Sequence, residues 1–188
     1  MIQKTTFRLL LITIALLAIP LHGSSKVQSS EYWEHDESIP DFSPRTYICY
    51  HRSGPIEIDG KLDEATWSKV PWTSSFEDIR GEGWPTPEFD THVKMTWDDE
   101  YFYVAAQLEE PHVWATIEER DAVIFHDNDF EVFIDPDGDT HGYYELELNA
   151  LNTIWDLLLV RPYRDGGPVI DNWDINGLRS AIHVNGSL

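Results

Sequence analysis

Short runs of β-forming residues make up most of the chain, and Gly, Pro, Asp and Asn interrupt them at close intervals. Runs of about four to eight residues between such turn formers are typical of strands. Strands that follow one another this closely favour antiparallel neighbours over a parallel sheet. We therefore predict an all-β fold, a two-sheet antiparallel β-sandwich with one short helix. The predicted strands cover residues 47–52, 55–59, 91–97, 100–107, 129–135, 143–150, 153–160 and 178–184.

Two short connections indicate which strands are neighbours. Residues 98–100 and residues 151–152 each separate two strand runs by the length of a tight hairpin. The pattern becomes helical only between residues 59 and 70, where Asp63 is the predicted N-cap. We expect antiparallel pairing across both hairpins.

Strict alternation in residues 143–150 predicts how one strand faces the core. Successive side chains of a strand point to opposite faces of the sheet. The predicted core side holds Tyr144, Leu146, Leu148 and Ala150. The predicted solvent side holds Glu145, Glu147 and Asn149.

The first residues have the pattern of a cleavable secretory signal. Lys4 and Arg8 precede the apolar run at residues 9–21, and small residues follow at 23–25. A membrane anchor is the alternative, although the run is short for a bilayer. We predict a signal peptide over residues 1–23, a flexible linker over 24–46 and a β-sandwich over 47–188. The protein is then secreted, periplasmic or extracellular.

The predicted last strand is followed by a hairpin signal without a return strand. Asn185-Gly186 is a strong turn pair, and the sequence ends two residues later. We therefore expect the β-sandwich to be incomplete at its C-terminus.

The charge balance restricts the partners of the chain. Its formal net charge is -21, and removal of the signal segment with Lys4 and Arg8 makes it -23. Such a field repels nucleic acid and anionic lipid, so we expect no nucleic-acid partner and no membrane contact after signal cleavage. The single cysteine, Cys49, lies in an apolar strand run and is expected to be a buried small hydrophobe.

Aromatic residues are abundant, with eight Trp, eight Tyr and eight Phe. An indole ring offers apolar area and a negative quadrupole to the C–H faces of sugars. The predicted carbohydrate-binding residues are Trp84, Trp114, Trp173, Arg161 and Arg164. The loop tryptophans could equally cover the edge of the core, and the arginines could form ion pairs with nearby acids. Three other tryptophans lie in strand or helical runs and are predicted to be core: Trp67, Trp97 and Trp155.

Acidic residues flank one strand and offer hard oxygen ligands. Alternating carboxylates around a Gly bend can surround a Ca²⁺ ion, as in the first half of an EF-hand loop, although a plain Asp-rich turn has the same pattern. The candidate metal ligands are Asp127, Asp129, Asp135, Asp137 and Asp139. Glu145 and Glu147 have the spacing of a carboxylate pair, but two solvated glutamates on an outer face would look the same.

Four stretches of the sequence resemble the successive blocks of a carbohydrate-binding module of family 9. They are IEIDGKLDEATWSKVPW, VKMTWDDEYFYVAAQLEEP, DNDFEVFIDPDGD and YYELELNALNTIWDLLL. The resemblance runs from about residue 47 to the end and implies a DOMON-like or immunoglobulin-like β-sandwich with bound calcium. It also implies attachment to xylanases or other glycoside hydrolases.

The resemblance carries over to some of the family's ligand-binding residues. In family members two Trp rings clamp the terminal sugar, and the first would precede the strand that begins at Asp129. Residues 123–126 read VIFH and hold no Trp. The block that lies near metal and ligand in the family is matched by Asp127, Asp129, Glu131 and Asp135.

The leading functional hypothesis is a secreted, non-catalytic module that binds a poly- or oligosaccharide and serves polysaccharide breakdown. A covalently linked or co-secreted glycoside hydrolase is the expected protein partner. The alternatives are a glycoside hydrolase that uses Glu145 and Glu147, a haem-binding DOMON-type domain in which Met95 would be the methionine ligand, and an interaction domain without a sugar ligand. We predict no catalytic residue for the leading hypothesis, and calcium as the cofactor.

Overall fold

The computed structural model describes residues 44–81 and 83–186, together with the backbone of residues 5–8. The described residues form eight strands and three 3₁₀ helices. The strands are β1 (Thr5–Arg8), β2 (Thr46–His51), β3 (Thr91–Trp97), β4 (Phe102–Leu108), β5 (Asp129–Ile134), β6 (Tyr143–Asn149), β7 (Ile154–Leu159) and β8 (Val169–Ile170). The 3₁₀ helices are Trp67–Lys69, Ile124–His126 and Tyr163–Asp165.

The strands form two four-stranded sheets, which confirms the predicted all-β sandwich. The first sheet has the order β1-β2-β3-β4 and the second has the order β5-β6-β7-β8. Both predicted hairpins are confirmed, because β3 pairs antiparallel with β4 and β6 with β7. The exception to antiparallel pairing is β2 with β3, which run parallel. Residues 52–90 provide the long crossover that a parallel pair needs.

Strand β1 lies inside the predicted signal segment and pairs antiparallel with β2. The rest of that segment, and the predicted linker up to residue 43, lie outside the described residues. Within the described ranges, no helix has both the length and the apolar character needed to cross a bilayer.

Two predicted strands are wrong. Residues 55–59 and 178–184 have no strand assignment. The two segments meet at Gly60, where a Cβ atom would lie 2.6 Å from the backbone nitrogen of His183. Asp63 is also not the helix cap, because the 3₁₀ turn begins at Trp67 and Thr66 precedes it without a side-chain cap.

The first sheet buries apolar residues between the sheets. Cys49, Val93 and Met95 form a cluster, and Phe130 of β5 packs against it. Cys49 is 1% exposed, which confirms its predicted burial. Burial also raises the pKa of its thiol to about 11, so the thiol is protonated at neutral pH. Met95 lies in this core and not on an open surface.

The outer face of the first sheet is apolar as well. Trp67, Val70 and Ala105 form a second cluster beneath the crossover segment. Trp67 is 3% exposed, so its predicted place in the core is confirmed. Lys94 extends across this face, where its Nζ donates a hydrogen bond to the Trp67 carbonyl at 2.7 Å. The first sheet is therefore covered on both sides.

The second sheet confirms that the leucine side of β6 faces the other sheet, but it contradicts the predicted solvent side. Glu145, Glu147 and Asn149 are 3%, 1% and 1% exposed, so the predicted solvent side is the more deeply buried one. The alternation itself is present along the whole strand. Leu148 lies opposite Phe130, and that ring packs on the first sheet, so the leucine side of β6 faces the first sheet. The glutamates are buried because the two later 3₁₀ helices fold over their face.

Candidate functional site

The register of β5 and β6 collects carboxylates on one face of the second sheet. Glu131 lies opposite Glu147, and Asp129 lies opposite Asn149. Oxygen atoms of Asp129, Glu131 and Glu147 come within 4.8 Å of one another. Glu145 is two residues from Glu147 on the same side of β6. We call this surface, formed by Asp129, Glu131, Glu145 and Glu147, the acidic face.

Aromatic side chains surround a cleft of about 490 Å³ over the acidic face. Four of them line it: Phe125, Phe133, Trp155 and Tyr163. The rings of Phe125 and Trp155 have centroids 6.1 Å apart. Phe125 and Tyr163 are 54% and 53% exposed, so their rings are available to a ligand. The lining residues include Glu131, Glu145 and Glu147, but no Lys, Arg or His.

Each buried glutamate of β6 accepts a hydrogen bond from a covering 3₁₀ helix. The phenol of Tyr163 donates to Oε2 of Glu145 at 2.5 Å. The backbone N–H of Phe125 donates to Oε2 of Glu147 at 3.1 Å. Among the described residues, no basic side chain forms an ion pair with any carboxylate of the acidic face.

Burial shifts the carboxyl groups of this face toward the neutral form. It raises the pKa of Glu147 to about 8, and the charges of Glu145, Glu131 and Asp129 raise it further. Burial likewise raises the pKa of Asp129 to about 6, with the charge of Glu131 as the next cause. The pKa values of Glu131 and Glu145 are also raised, chiefly by burial. At neutral pH the face therefore offers both acids and carboxylates, which can donate and accept hydrogen bonds.

Asp127 anchors the segment that covers the acidic face. Its carboxylate accepts hydrogen bonds from the backbone N–H groups of Thr116 and Ile117, at 2.9 and 2.8 Å. The Thr116 hydroxyl and the Asn149 amide also donate to it, each at 2.9 Å. The Asp127 carboxylate was predicted to be a metal ligand, but it accepts these hydrogen bonds from the protein instead.

The five predicted metal ligands fall into three environments. Asp135, Asp137 and Asp139 come together in the loop between β5 and β6, with oxygen atoms within 4.8 Å of one another. Asp129 belongs to the acidic face, and Asp127 is the anchor described above. The Asp135 carboxylate also accepts backbone N–H bonds from Gly138 and Thr140, which shape the loop.

The three predicted carbohydrate-binding tryptophans lie outside the cleft lining. Trp84 is 51% exposed, and the Arg80 guanidinium lies 3.5 Å from the centre of its ring. Trp114 is 45% exposed in the loop after β4. Trp173 stacks on Tyr144 with ring centroids 4.8 Å apart. Trp155 packs against the buried cluster of Tyr143, Leu157 and Leu159, as its predicted core position implies, and it also lines the cleft.

The two predicted arginines lie beside the cleft. Arg161 and Arg164 are exposed in the loop that carries Tyr163, and neither lines the cleft. Arg164 lies 4.0 Å from the carboxylate of Asp165, as an exposed ion pair. The loop was correctly singled out as polar and exposed, but it contributes Tyr163 to the cleft.

None of the four aromatic residues of the cleft was among the predicted sugar-binding residues: Phe125, Phe133, Trp155 and Tyr163. One sequence signal pointed to Phe125. The family resemblance places an aromatic clamp residue just before β5, and Phe125 occupies that region with its ring at the cleft. No comparable signal was available for Tyr163, whose position depends on the fold of a loop between β7 and β8.

Comparison with known proteins identifies the family of the chain. The carbohydrate family 9 binding domain-like family matches residues 58–157, which include β3 to β6 and most of β7. The chain belongs to this family. The match ends before Tyr163, so the family region supplies the acidic face and the following loop supplies one wall.

One relative of this family member is a large enzyme. The exoglucanase XynX of Acetivibrio thermocellus is 31% identical over 92 residues. The matched region is 49% of this chain and 8% of the enzyme, so the chain corresponds to a small part of it. No solved structure gives a significant match.

Proposed function

We propose that the chain is a secreted carbohydrate-binding module, which holds an oligosaccharide in the cleft over the acidic face. The observation that carries this proposal is the combination of exposed rings with buried carboxyl groups in one cleft. Rings bind the apolar faces of sugars, and carboxyl groups bind their hydroxyls. Membership in a carbohydrate-binding family supports the same role.

Two buried polar atoms add support for a polar ligand. Oδ2 of Asp129 and Nε1 of Trp155 have no hydrogen-bond partner within the described part of the chain. An unpaired buried polar group costs about 1–3 kcal/mol. Trp155 lines the cleft, so a sugar hydroxyl bound there would give its Nε1–H an acceptor and favour the bound state.

The wider role that we propose is the breakdown of polysaccharides outside the cytoplasm. The relative is named as an exoglucanase, which supports a linked or co-secreted glycoside hydrolase as partner. The basic and apolar pattern of residues 1–23 supports export. Sequencing the N-terminus of the exported protein tests this step, and an intact Met1 on that product would contradict signal cleavage.

Isothermal titration with xylo- and gluco-oligosaccharides tests the binding site. We expect Phe125→Ala to weaken binding about tenfold, because it removes a ring that would cover the apolar C–H face of a sugar, and a tenfold change corresponds to about 1.4 kcal/mol. Phe89→Ala is the control, since Phe89 is an exposed ring outside the cleft. Loss of binding in Trp84→Ala with full binding in Phe125→Ala would move the site to the loop tryptophans.

A glycoside hydrolase is the second candidate that an observation favours. Glu145 and Glu147 lie side by side in the cleft, and a carboxyl with a pKa of about 8 is protonated as a general acid requires. Release of reducing ends from xylan or cellulose, abolished by Glu147→Gln, would establish this function. Binding of the same sugars without any hydrolysis favours the module.

Calcium is the cofactor that we propose for the loop between β5 and β6. Carboxylate oxygens are the ligands that Ca²⁺ prefers, and Asp135, Asp137 and Asp139 bring three of them together. A bound Ca²⁺ ion would stiffen the hairpin that carries Glu131 and Glu145. Its role would then be structural, at a distance from the cleft.

A further inference from the structure

We propose that Tyr163 is a positioning residue of the sugar site, which orients the Glu145 carboxylate toward the hydroxyl groups of the ligand. This inference rests on the proposed function, because it assigns a role inside the same cleft. It goes beyond that function because it assigns to Tyr163 the orientation of the Glu145 carboxylate in the cleft.

The bond between Tyr163 and Glu145 is the first observation. The phenol oxygen lies 2.5 Å from Oε2 of Glu145, and Glu145 is only 3% exposed. A buried carboxylate is costly unless it receives hydrogen bonds. Hydrogen bonds from neutral donors to charged acceptors are short and strong. Tyr163 therefore restricts the orientation of Glu145 within the cleft.

The loop that carries Tyr163 is held at both ends, which makes it a defined wall. Tyr163 lies in a 3₁₀ turn that ends at Gly166, with a φ of 64°. A Cβ atom at Gly167 would collide with the side chain of Arg161, so the loop needs glycine there. After the turn, Val169 pairs with Leu159 and returns the chain to the sheet.

Tyr163 both donates a hydrogen bond to Glu145 and forms a wall of the cleft, and this combination affects which ligands can bind. A carboxylate that already accepts a protein hydrogen bond retains lone pairs that accept further donors. The Glu147 carboxyl also hydrogen-bonds to Glu145. A sugar hydroxyl that donates to a further lone pair of Glu145 would lie beside the Tyr163 ring. We expect an oligosaccharide with free hydroxyls to bind, and its per-O-methylated form to lose binding because it has no donor.

A double-mutant cycle tests the coupling of the two residues. Binding of xylohexaose and cellohexaose is measured for the wild-type chain, Tyr163→Phe, Glu145→Gln and the double variant. We expect Tyr163→Phe to weaken binding about tenfold in the wild-type background and less than about twofold in the Glu145→Gln background. Tyr50→Phe in the first sheet is the control for loss of a hydroxyl and should bind as the wild type does.

A second readout separates positioning from a general structural effect. The hydrogen bond from Tyr163 lowers the pKa of Glu145 against the raising effect of burial. Carbon-detected NMR titration should therefore show a higher Glu145 pKa in Tyr163→Phe than in the wild type. If that variant does not fold, the ring signals of Tyr163 in the wild-type chain are followed as the sugar is added. They should shift, and the Tyr50 signals should not.

The outcomes distinguish the two proposals. If the wild-type chain binds neither sugar, the proposed function fails and this inference fails with it. If the wild type binds but Tyr163→Phe has equal affinity, with an unchanged Glu145 titration, only the inference is overturned. Tyr163 ring signals that stay in place at saturation, in a chain that binds the sugar, also overturn it.

Discussion

The Asp98 turn of the first sheet and the acidic face of the second sheet hold their carboxyl groups in opposite environments. In the first sheet, Asp98 begins the hairpin between β3 and β4, and its carboxylate accepts the backbone N–H groups of Glu100 and Tyr101. These bonds, with the Arg52 guanidinium, hold its pKa well below the ordinary range. In the second sheet, Glu147 is buried among other acids, and its pKa is raised to about 8.

This difference separates a structural use of acidic residues from the binding role that we propose for the acidic face. The Asp98 carboxylate stabilises a turn by receiving donors from its own chain. The acidic face lacks basic partners among the described residues, so the folded chain bears the cost of burying it. Groups that are costly in this way concentrate at functional sites. We therefore place the proposed sugar site on the second sheet. The first sheet packs against the opposite face of that sheet and supports it.

The largest expected effect contrasts Trp67, which packs on the first sheet from the crossover segment, with Trp155 of β7 in the second sheet. Trp67→Ala should lower the free energy of unfolding by about 4 kcal/mol, because its ring is fully packed under the crossover. Trp155→Ala should cost only about 1–2 kcal/mol but abolish sugar binding, because that ring is partly exposed at the cleft. Urea unfolding and sugar titration of both variants measure the contrast. Equal losses of stability with retained binding in Trp155→Ala would remove the distinction between the sheets.

The next effect is an opposite pH response of the two sheets. Glu147 and Asp129 keep protons in the folded chain that the unfolded chain has released. Their contribution to the free energy of unfolding is therefore complete below pH about 4. It is lost as the pH rises through their pKa values in the folded chain, about 6 for Asp129 and about 8 for Glu147. Asp98 acts the other way, and its contribution is lost as the pH falls.

Between pH 5 and 8 we expect the free energy of unfolding of the wild-type chain to fall by several kcal/mol, and Glu147→Gln should remove about 3 kcal/mol of that fall. Urea unfolding across this pH range measures it, and Glu118→Gln on an exposed loop is the matched control. A decline that is identical in wild type and Glu147→Gln would show that Glu147 is ionised at neutral pH.

Calcium should have the smallest effect and should act on the second sheet. At a free concentration about ten times its Kd, it should add about 1.4 kcal/mol and raise Tm by roughly 5 °C. Hydrogen exchange should slow in β5 and β6 but not in β3 and β4. Asp137→Asn should abolish the response, whereas Asp99→Asn in the first-sheet hairpin should keep it. Equal responses of the two variants would exclude the loop of Asp135 as the calcium site.

Local patterns were sufficient to predict the fold class and the hairpins. Both hairpin turns and the burial of Cys49 follow from residue type and spacing. The alternation of β6 and the inward direction of its leucine side were predicted correctly, but the glutamate side was wrongly predicted to be open to solvent. Apolar residues occupy the side toward the first sheet, and the other side is buried by loops that are distant in sequence. Periodicity cannot show which loops will cover a sheet.

The site was harder to predict because its parts come from separate elements. Glu131 and Glu147 meet only through the register of β5 with β6, and Tyr163 reaches Glu145 from the loop after β7. Trp84 was predicted to bind sugar because it is a tryptophan in a loop, but the fold places it outside the cleft lining. Long-range pairing, rather than composition, therefore decides which aromatic residues surround the acids.

Chemical-shift mapping with an oligosaccharide tests the central claim most directly. The isotope-labelled chain is titrated with xylohexaose or cellohexaose, and the shifts of backbone and Trp side-chain signals are assigned. We expect the largest changes at Glu131, Glu147 and Trp155, with the Trp84 and Trp114 indole signals unchanged. Saturable changes at Trp84 or Trp114, with the acidic face unmoved, would contradict the assignment of the sugar site to the second sheet.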